Sequence, residues 1–187
     1  MKYLIMCEGP NELEVINILL ENDLLIFGED DLIGLRAYHA RQIASSGIIK
    51  TALNIYPGKD IEILRIGDTQ SEHLKIPAEY RDKLSEAVIK KYCTKPELEI
   101  LLIISEDMLQ NYEKQKSSVK PKSFAKSNIR FNRKKYDNST RFYREYYGDS
   151  PELLIEALRK YKSIKGAHKK EELYLADLLK HNDDNEK

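Results

Sequence analysis

Three short apolar runs, each ending on an acid and each next to stretches of helical character, set the narrowest limit on how this chain can fold. The first, residues 3–7, is unbroken and stops on Glu8-Gly9-Pro10. A continuous apolar run of this length fits a strand buried on both faces, as inside a parallel sheet. Gly9 then allows an unusual backbone turn and Pro10 bars the ladder from continuing. Asn11 caps the helix that follows, with Glu14 three residues on as its capping-box partner, and the helix runs through Leu13, Ile16, Leu19 and Leu20. The second run, residues 61–66, stops at Gly67-Asp68-Thr69-Gln70, and the third, residues 98–104, at Ser105-Glu106-Asp107. Between them the pattern predicts a short strand within 32–40, a helix over 41–56 and an amphipathic helix over 78–92 with Leu84, Val88 and Ile89 inward. A helix over 108–116 follows the third run. Apolar strands alternating with helices specify an α/β fold: an open parallel sheet with flanking helices. Its expected centre is the strand 3–7, between 61–66 and 98–104.

Ligands of such sheets bind beyond the carboxyl ends of the strands. Glu8, Asp68 and Glu106 or Asp107 fall there, and Glu12 lies one helical turn beyond Glu8. Carboxylates gathered in such a place suit a hard divalent cation, which prefers oxygen ligands. The plainer reading of Glu8 and Glu12 is that negative charge near a helix start is favoured by the macrodipole.

Lys plus Arg and Asp plus Glu number 31 each, so net charge is silent about partners, but its distribution is not. Residues 1–112 carry a net charge of −7, residues 113–144 a net of +9, and the remainder −2. Within the basic segment Lys122, Lys126, Arg130, Arg133, Lys134, Lys135, Arg141 and Arg144 alternate with Phe124, Phe131, Tyr136, Phe142 and Tyr143. Cations interleaved with aromatics suit phosphate contact combined with base stacking. The alternative is an appendage whose aromatics pack on the body while its charges are solvated or offset the acidic sheet edge. An amphipathic helix from 151 to 161, capped by Ser150, and a short one over 173–179 complete the chain. The expected division is an α/β domain over 1–116, a basic helical appendage over 117–180 and a disordered polar tail over 181–187.

Other chemistries find no support. Cys7 and Cys93 form neither a disulfide framework nor a zinc pattern and read as buried thiols. His39, His73, His168 and His181 stand at no metal spacing with cysteine. There is no phosphate-binding Gly-rich loop, and Ser105 lacks a nucleophile elbow. No apolar stretch reaches membrane length, so the expectation is a soluble cytoplasmic protein without a membrane partner.

The opening motif, strand–Cys7-Glu8-Gly9-Pro10-Asn11-Glu12–helix, resembles the first motif of the Toprim fold shared by topoisomerases, primases and OLD-type nucleases. In that family the glutamate ending the first strand faces an Asp-x-Asp pair ending a later strand, and together they hold Mg²⁺. Here Asp68-Thr69-Gln70 stands in the later position. Glu8 and Asp68 match, Glu12 matches the extra acid of the nuclease branch, and Gln70 replaces the second aspartate. Glu72, Glu106 or Asp107 is the candidate for the missing carboxylate. The resemblance spans residues 1–107.

What the resemblance implies is a nuclease dependent on Mg²⁺ or Mn²⁺, acting on DNA or RNA, with a defence or mobile-element system as one setting. Glu8, Asp68 and a third acid would hold the metal, with Glu12 and Glu106 among the ligands, and Lys122 or Lys126 would steady charge on the reacting phosphate. Arg130, Arg133, Lys134, Lys135 and Arg141 would contact nucleic acid. The alternative is a catalytically inert module of the same build that binds nucleic acid or a protein partner.

Overall fold

The computed structural model describes residues 1–68, 72–84, 87–164 and 168–181. The expected parallel α/β sheet is present. Five strands, β1 (Lys2–Cys7), β2 (Tyr38–His39), β3 (Ile61–Gly67), β4 (Val88–Cys93) and β7 (Glu172–Leu173), lie in the order β2-β1-β3-β4-β7, every pair parallel. A separate antiparallel ribbon joins β5 (Arg130–Phe131) to β6 (Lys134–Lys135).

The sheet is covered on both faces. On one side α1 (Pro10–Glu21), α4 (Ile100–Ser105), α6 (Pro121–Asn128), α7 (Thr140–Tyr147) and α8 (Pro151–Ser163) bury Ile5, Cys7, Leu64 and Ile66 beneath one continuous core. On the other, α2 (Gly47–Ile55) and α3 (Arg81–Leu84) cover Leu4, Met6, Ile61 and Ile63. This two-sided burial explains why β1 is apolar without a break from Tyr3 to Cys7 and why every residue of β3, Glu62 and Arg65 included, is buried. The short α5 (Leu109–Glu113) places Tyr112 in the larger core. Phe124, Tyr136, Phe142 and Leu158, all from the segment expected to form an appendage, belong to that same core, and β7 extends the sheet itself.

Several expectations are corrected. The run 98–104 is not a strand: Leu98 and Glu99 form a turn, and α4 begins at Ile100. Leu98 and residues 100–103 are all buried, and an element buried all round gives no periodicity to separate strand from helix. The strand lies instead at β4, inside the expected helix 78–92, where α3 ends at Leu84 and the β-branched pair Val88-Ile89 opens an extended segment. The sheet centre is therefore β3, and β1 sits between β2 and β3. Asn11 is not the cap of α1. Gly9 holds that position with Pro10 at the first helical residue, a place where its missing N–H costs nothing, and Glu14 instead pairs with Arg144. Within 32–40 only Tyr38–His39 is strand, and α2 starts at Gly47, capped by the Ser46 hydroxyl, so that Arg41 and Gln42 lie in a loop. Ser150 precedes α8 without a side-chain capping bond, and the element expected at 173–179 is a 3₁₀ turn over Leu175–Leu178. The tail expected to be disordered lies, from residue 182 on, outside the described residues.

Candidate active site at the strand ends

Register places the acids. Cys7 is level with His39 on one side and Ile66 on the other, and Gly67 is level with Cys93. Glu8, Asp68 and Thr94 therefore leave the sheet side by side. The Glu8 amide still donates to Ile66 O at 2.7 Å, and the Thr94 amide to Gly67 O at 3.3 Å. Two glycines make room for the side chains. A Cβ on Gly67 would meet the Glu8 Cβ at 2.7 Å, and one on Gly9 would collide with the Glu12 carboxylate.

The carboxylates of Glu8, Glu12 and Asp68 share this edge with two acids that the sequence pattern did not single out, Glu97 and Glu99. Asp68 is pushed up to about 8, first by burial and then by the negative charges of Glu12, Glu99, Glu8 and Glu97. Burial also raises Glu12, with Glu8 and Glu99 adding to the effect and Lys122 opposing it. Glu99 is 2 % exposed; it accepts a hydrogen bond from Tyr136 Oη at 2.7 Å and faces Lys122 Nζ at 3.7 Å. The Lys122 amide donates to Glu97 Oε2 at 2.8 Å, which fixes the start of α6 against the acids. Thr94 Oγ1 reaches Asp68 Oδ1 at 3.4 Å. Glu8 leans the other way, towards Arg41 Nη2 at 3.4 Å, and its Oε2 is buried with no hydrogen-bond partner.

Such a site carries more negative charge than its surroundings neutralise, so a proton or a cation is favoured there. The donors are carboxylate oxygens, which fit Mg²⁺ or Mn²⁺. They do not close into a cage: among the described residues no three acidic, histidine or cysteine side chains are gathered as a ready set of metal ligands.

The remaining sequence candidates fall as follows. Glu106 lies at the far end of α4 from Glu99, where Tyr146 Oη donates to it. Because the segment is helical, Glu99 and not Glu106 stands beside Glu12. Asp107 is exposed beyond that same helix end, and Glu72 is exposed, its carbonyl accepting from Arg65 Nη1. Gln70 lies outside the described residues. Lys122 is at the acids, and Lys126 is exposed one turn further along α6. An acid interrupting an apolar run was the available signal for Glu99, and the preceding Lys95-Pro96 marked a break just before it.

The basic ribbon separates the two components that its sequence combines. Its aromatics do not face outward. Phe124, Tyr136, Phe142 and Tyr143 are buried, and Phe131 packs edge-on against Tyr146 with ring centroids 5.1 Å apart. A base-stacking role for them is thereby removed, because their rings fill the core between α4, α6 and α7. The cations stay outside. Nine Lys and Arg and no acid occur between 114 and 136. Lys134 and Arg141 share Glu145, and Arg144 is committed to Glu14 and Glu21. Arg130, Arg133 and Lys135 are exposed and make no ion pair among the described residues. The ribbon turns on Asn132 and Arg133 with φ of 49° and 66°, a two-residue hairpin geometry in which glycine is the unstrained choice. An arginine is held at its tip nonetheless.

No protein-family model matches the chain, and no curated protein or solved structure matches it. Among the described residues, no helix is long and apolar enough to cross a membrane.

Proposed function

We propose that this chain is a Toprim-like nuclease that uses Mg²⁺ or Mn²⁺ to cleave the phosphodiester backbone of DNA or RNA. The observation that carries the reading is that Glu8 and Asp68 leave adjacent parallel strands side by side at their carboxyl ends, with Glu12 at the start of α1 and Glu99 at the start of α4 close enough for their charges to act on Asp68. Glu8, Asp68 and Glu12 are the residues to hold the ion, with Glu99 behind them. When bound, the ion supplies Lewis-acid polarisation of a phosphoryl oxygen. The protein's own groups do the rest. Tyr136 and Lys122 fix Glu99, Thr94 orients Asp68, and Lys122 brings a positive charge to the site where phosphate charge develops. Arg130, Arg133, Lys134 and Lys135 draw the nucleic-acid backbone towards the site without reading bases.

A second reading, an inert module that binds nucleic acid, is favoured by one observation: the described carboxylates do not form a closed ligand set. One experiment separates the two. A labelled duplex and the matching single strand are incubated with the protein in Mg²⁺ and in EDTA. The nuclease reading expects metal-dependent cleavage, lost by about a thousandfold or more in Glu8→Ala and Asp68→Ala. Binding without cleavage under every condition selects the inert module.

Filter binding in EDTA tests the ribbon by itself. Changing Arg130, Arg133, Lys134 and Lys135 together to Glu should abolish salt-sensitive retention of nucleic acid. The thermal melt should stay within a few degrees of wild type, because exposed charges contribute little to stability. A wild type that retains nothing at low salt removes the nucleic-acid assignment.

A further inference from the structure

Among the described residues Arg65, Lys95, Lys122 and Arg41 stand around the carboxylates, and the first two are firmly held. Arg65 is 6 % exposed and donates Nη1 to Glu72 O at 2.6 Å. Lys95 Nζ lies 2.7 and 2.5 Å from the two oxygens of the buried Glu172 carboxylate. Lys122 donates its backbone amide to Glu97, while its ammonium stands 3.7 Å from Glu99 on the α6 side of the acids. Arg41 is the most exposed of the four and faces Glu8. Its side chain is 62 % exposed, and Nη2 lies 3.4 Å from Glu8 Oε1, beyond the 2.7–2.9 Å of a charge-assisted hydrogen bond.

The backbone carrying this loosely held head group is, by contrast, tightly anchored. On one side the Ala40 amide donates to Cys7 O at 3.0 Å, tying the loop to the end of β1. On the other, the Gln42 carboxamide donates to His73 O and accepts from the Lys75 amide, each at 2.9 Å. Gln42 thus bridges the loop after β2 to the segment that follows Asp68. A fixed backbone with an exposed, replaceable guanidinium is suited to positioning a ligand, and a planar guanidinium matches two phosphate oxygens.

We propose that Arg41 is a substrate-positioning residue that Glu8 holds in reserve. Were Glu8 to hold a divalent cation, the guanidinium would lose its carboxylate partner and be free to meet a non-bridging phosphate oxygen of the bound strand. The inference rests on the nuclease reading and assigns within it a residue that neither the strand-end pattern nor the basic ribbon includes.

The proposal makes two affinities move in opposite directions. Mn²⁺ binding is measured by calorimetry for wild type, Arg41→Ala and Arg41→Lys. A short phosphorothioate oligonucleotide, resistant to cleavage, is then titrated by fluorescence anisotropy with and without Mn²⁺. Arg41→Ala should bind Mn²⁺ about threefold more tightly, because a positive charge beside Glu8 is gone. It should bind the oligonucleotide about tenfold more weakly in Mn²⁺, and with little change in EDTA, where Glu8 retains the guanidinium. Arg41→Lys should fall between, keeping the charge but not the fork. An unchanged melting temperature identifies the effect as local. If wild type binds Mn²⁺ but Arg41→Ala leaves both affinities unchanged, or weakens both Mn²⁺ and metal-free oligonucleotide binding, the proposal is overturned and the nuclease reading stands. If wild type binds no Mn²⁺, both fall together.

Discussion

Ile5→Asp should leave no cooperative thermal transition. Ile5 is 0 % exposed in β1, level with Leu64 of β3, and packs into the core shared by α1, α4 and α7. A carboxylate there has neither water nor a cation, and β1 is held by neighbours on both edges, so the strand cannot turn to release it. The cost is about 4 kcal/mol or more, a large share of the stability of a domain this size. Circular dichroism during heating and urea titration reads the result. A transition near that of the wild type would show that β1 does not lie inside the sheet.

The second large effect has the opposite sign. Asp68→Asn should stabilise the fold at pH 8 and leave it nearly unchanged at pH 4. Asp68 rises from an ordinary 3.8 to about 8 on folding, with burial as the first cause and the surrounding carboxylates as the second. The folded chain therefore holds a proton at this position that the unfolded chain releases between those two values. Stability is unaffected below about pH 4, declines as pH rises, and carries the whole penalty above about pH 8. Asparagine keeps the shape and an acceptor for Thr94 but cannot ionise. With allowance for solvent reaching a partly exposed carboxylate, the gain is about 2 kcal/mol at pH 8, or roughly 4–8 °C in melting temperature. Melts at the two pH values give the comparison. A variant less stable than wild type at pH 8 would mean that the acids are not in conflict, and with that the main argument for a functional site would go. A gain in stability from removing a site residue is the usual trade between function and fold.

How far these features were legible depended on what each residue had to signal. β1 was readable because two-sided burial made residues 3–7 a continuous apolar run, and β3 because its isoleucines and leucine dominate a β-rich run that stops at Gly67; the parallel α/β class followed from them. Glu8 and Asp68 were readable with them, as the first acids past those runs. The other half of the sheet was not. Residues 100–103 and the strand β4 exchange the patterns expected of them: the helix is apolar on every side because it is buried on every side, and the strand carries Lys90 and Lys91. Only packing against α8, which gives α4 its enclosed place, settles that difference. The same exchange puts Glu99, and not Glu106, beside Glu12, since helical rise places the two at opposite ends of α4. The basic segment was readable in charge and misleading in its aromatics. Interleaving along the chain does not mean a shared face, and α7 turns Phe142, Tyr143, Tyr146 and Tyr147 inward while Arg141 stays in solvent. Arg41 left no signal, because the apolar residues after it read as one helix over 41–56 that in fact begins at Gly47.

The claim that these strand ends form one cation site is tested most directly by calorimetric titration of Mn²⁺ into wild type, Glu8→Ala and Asp68→Ala at pH 8. The account expects a single site in the wild type, weakened by at least about tenfold in each variant, since a carboxylate ligand is lost each time. Equal affinity in all three proteins would contradict it.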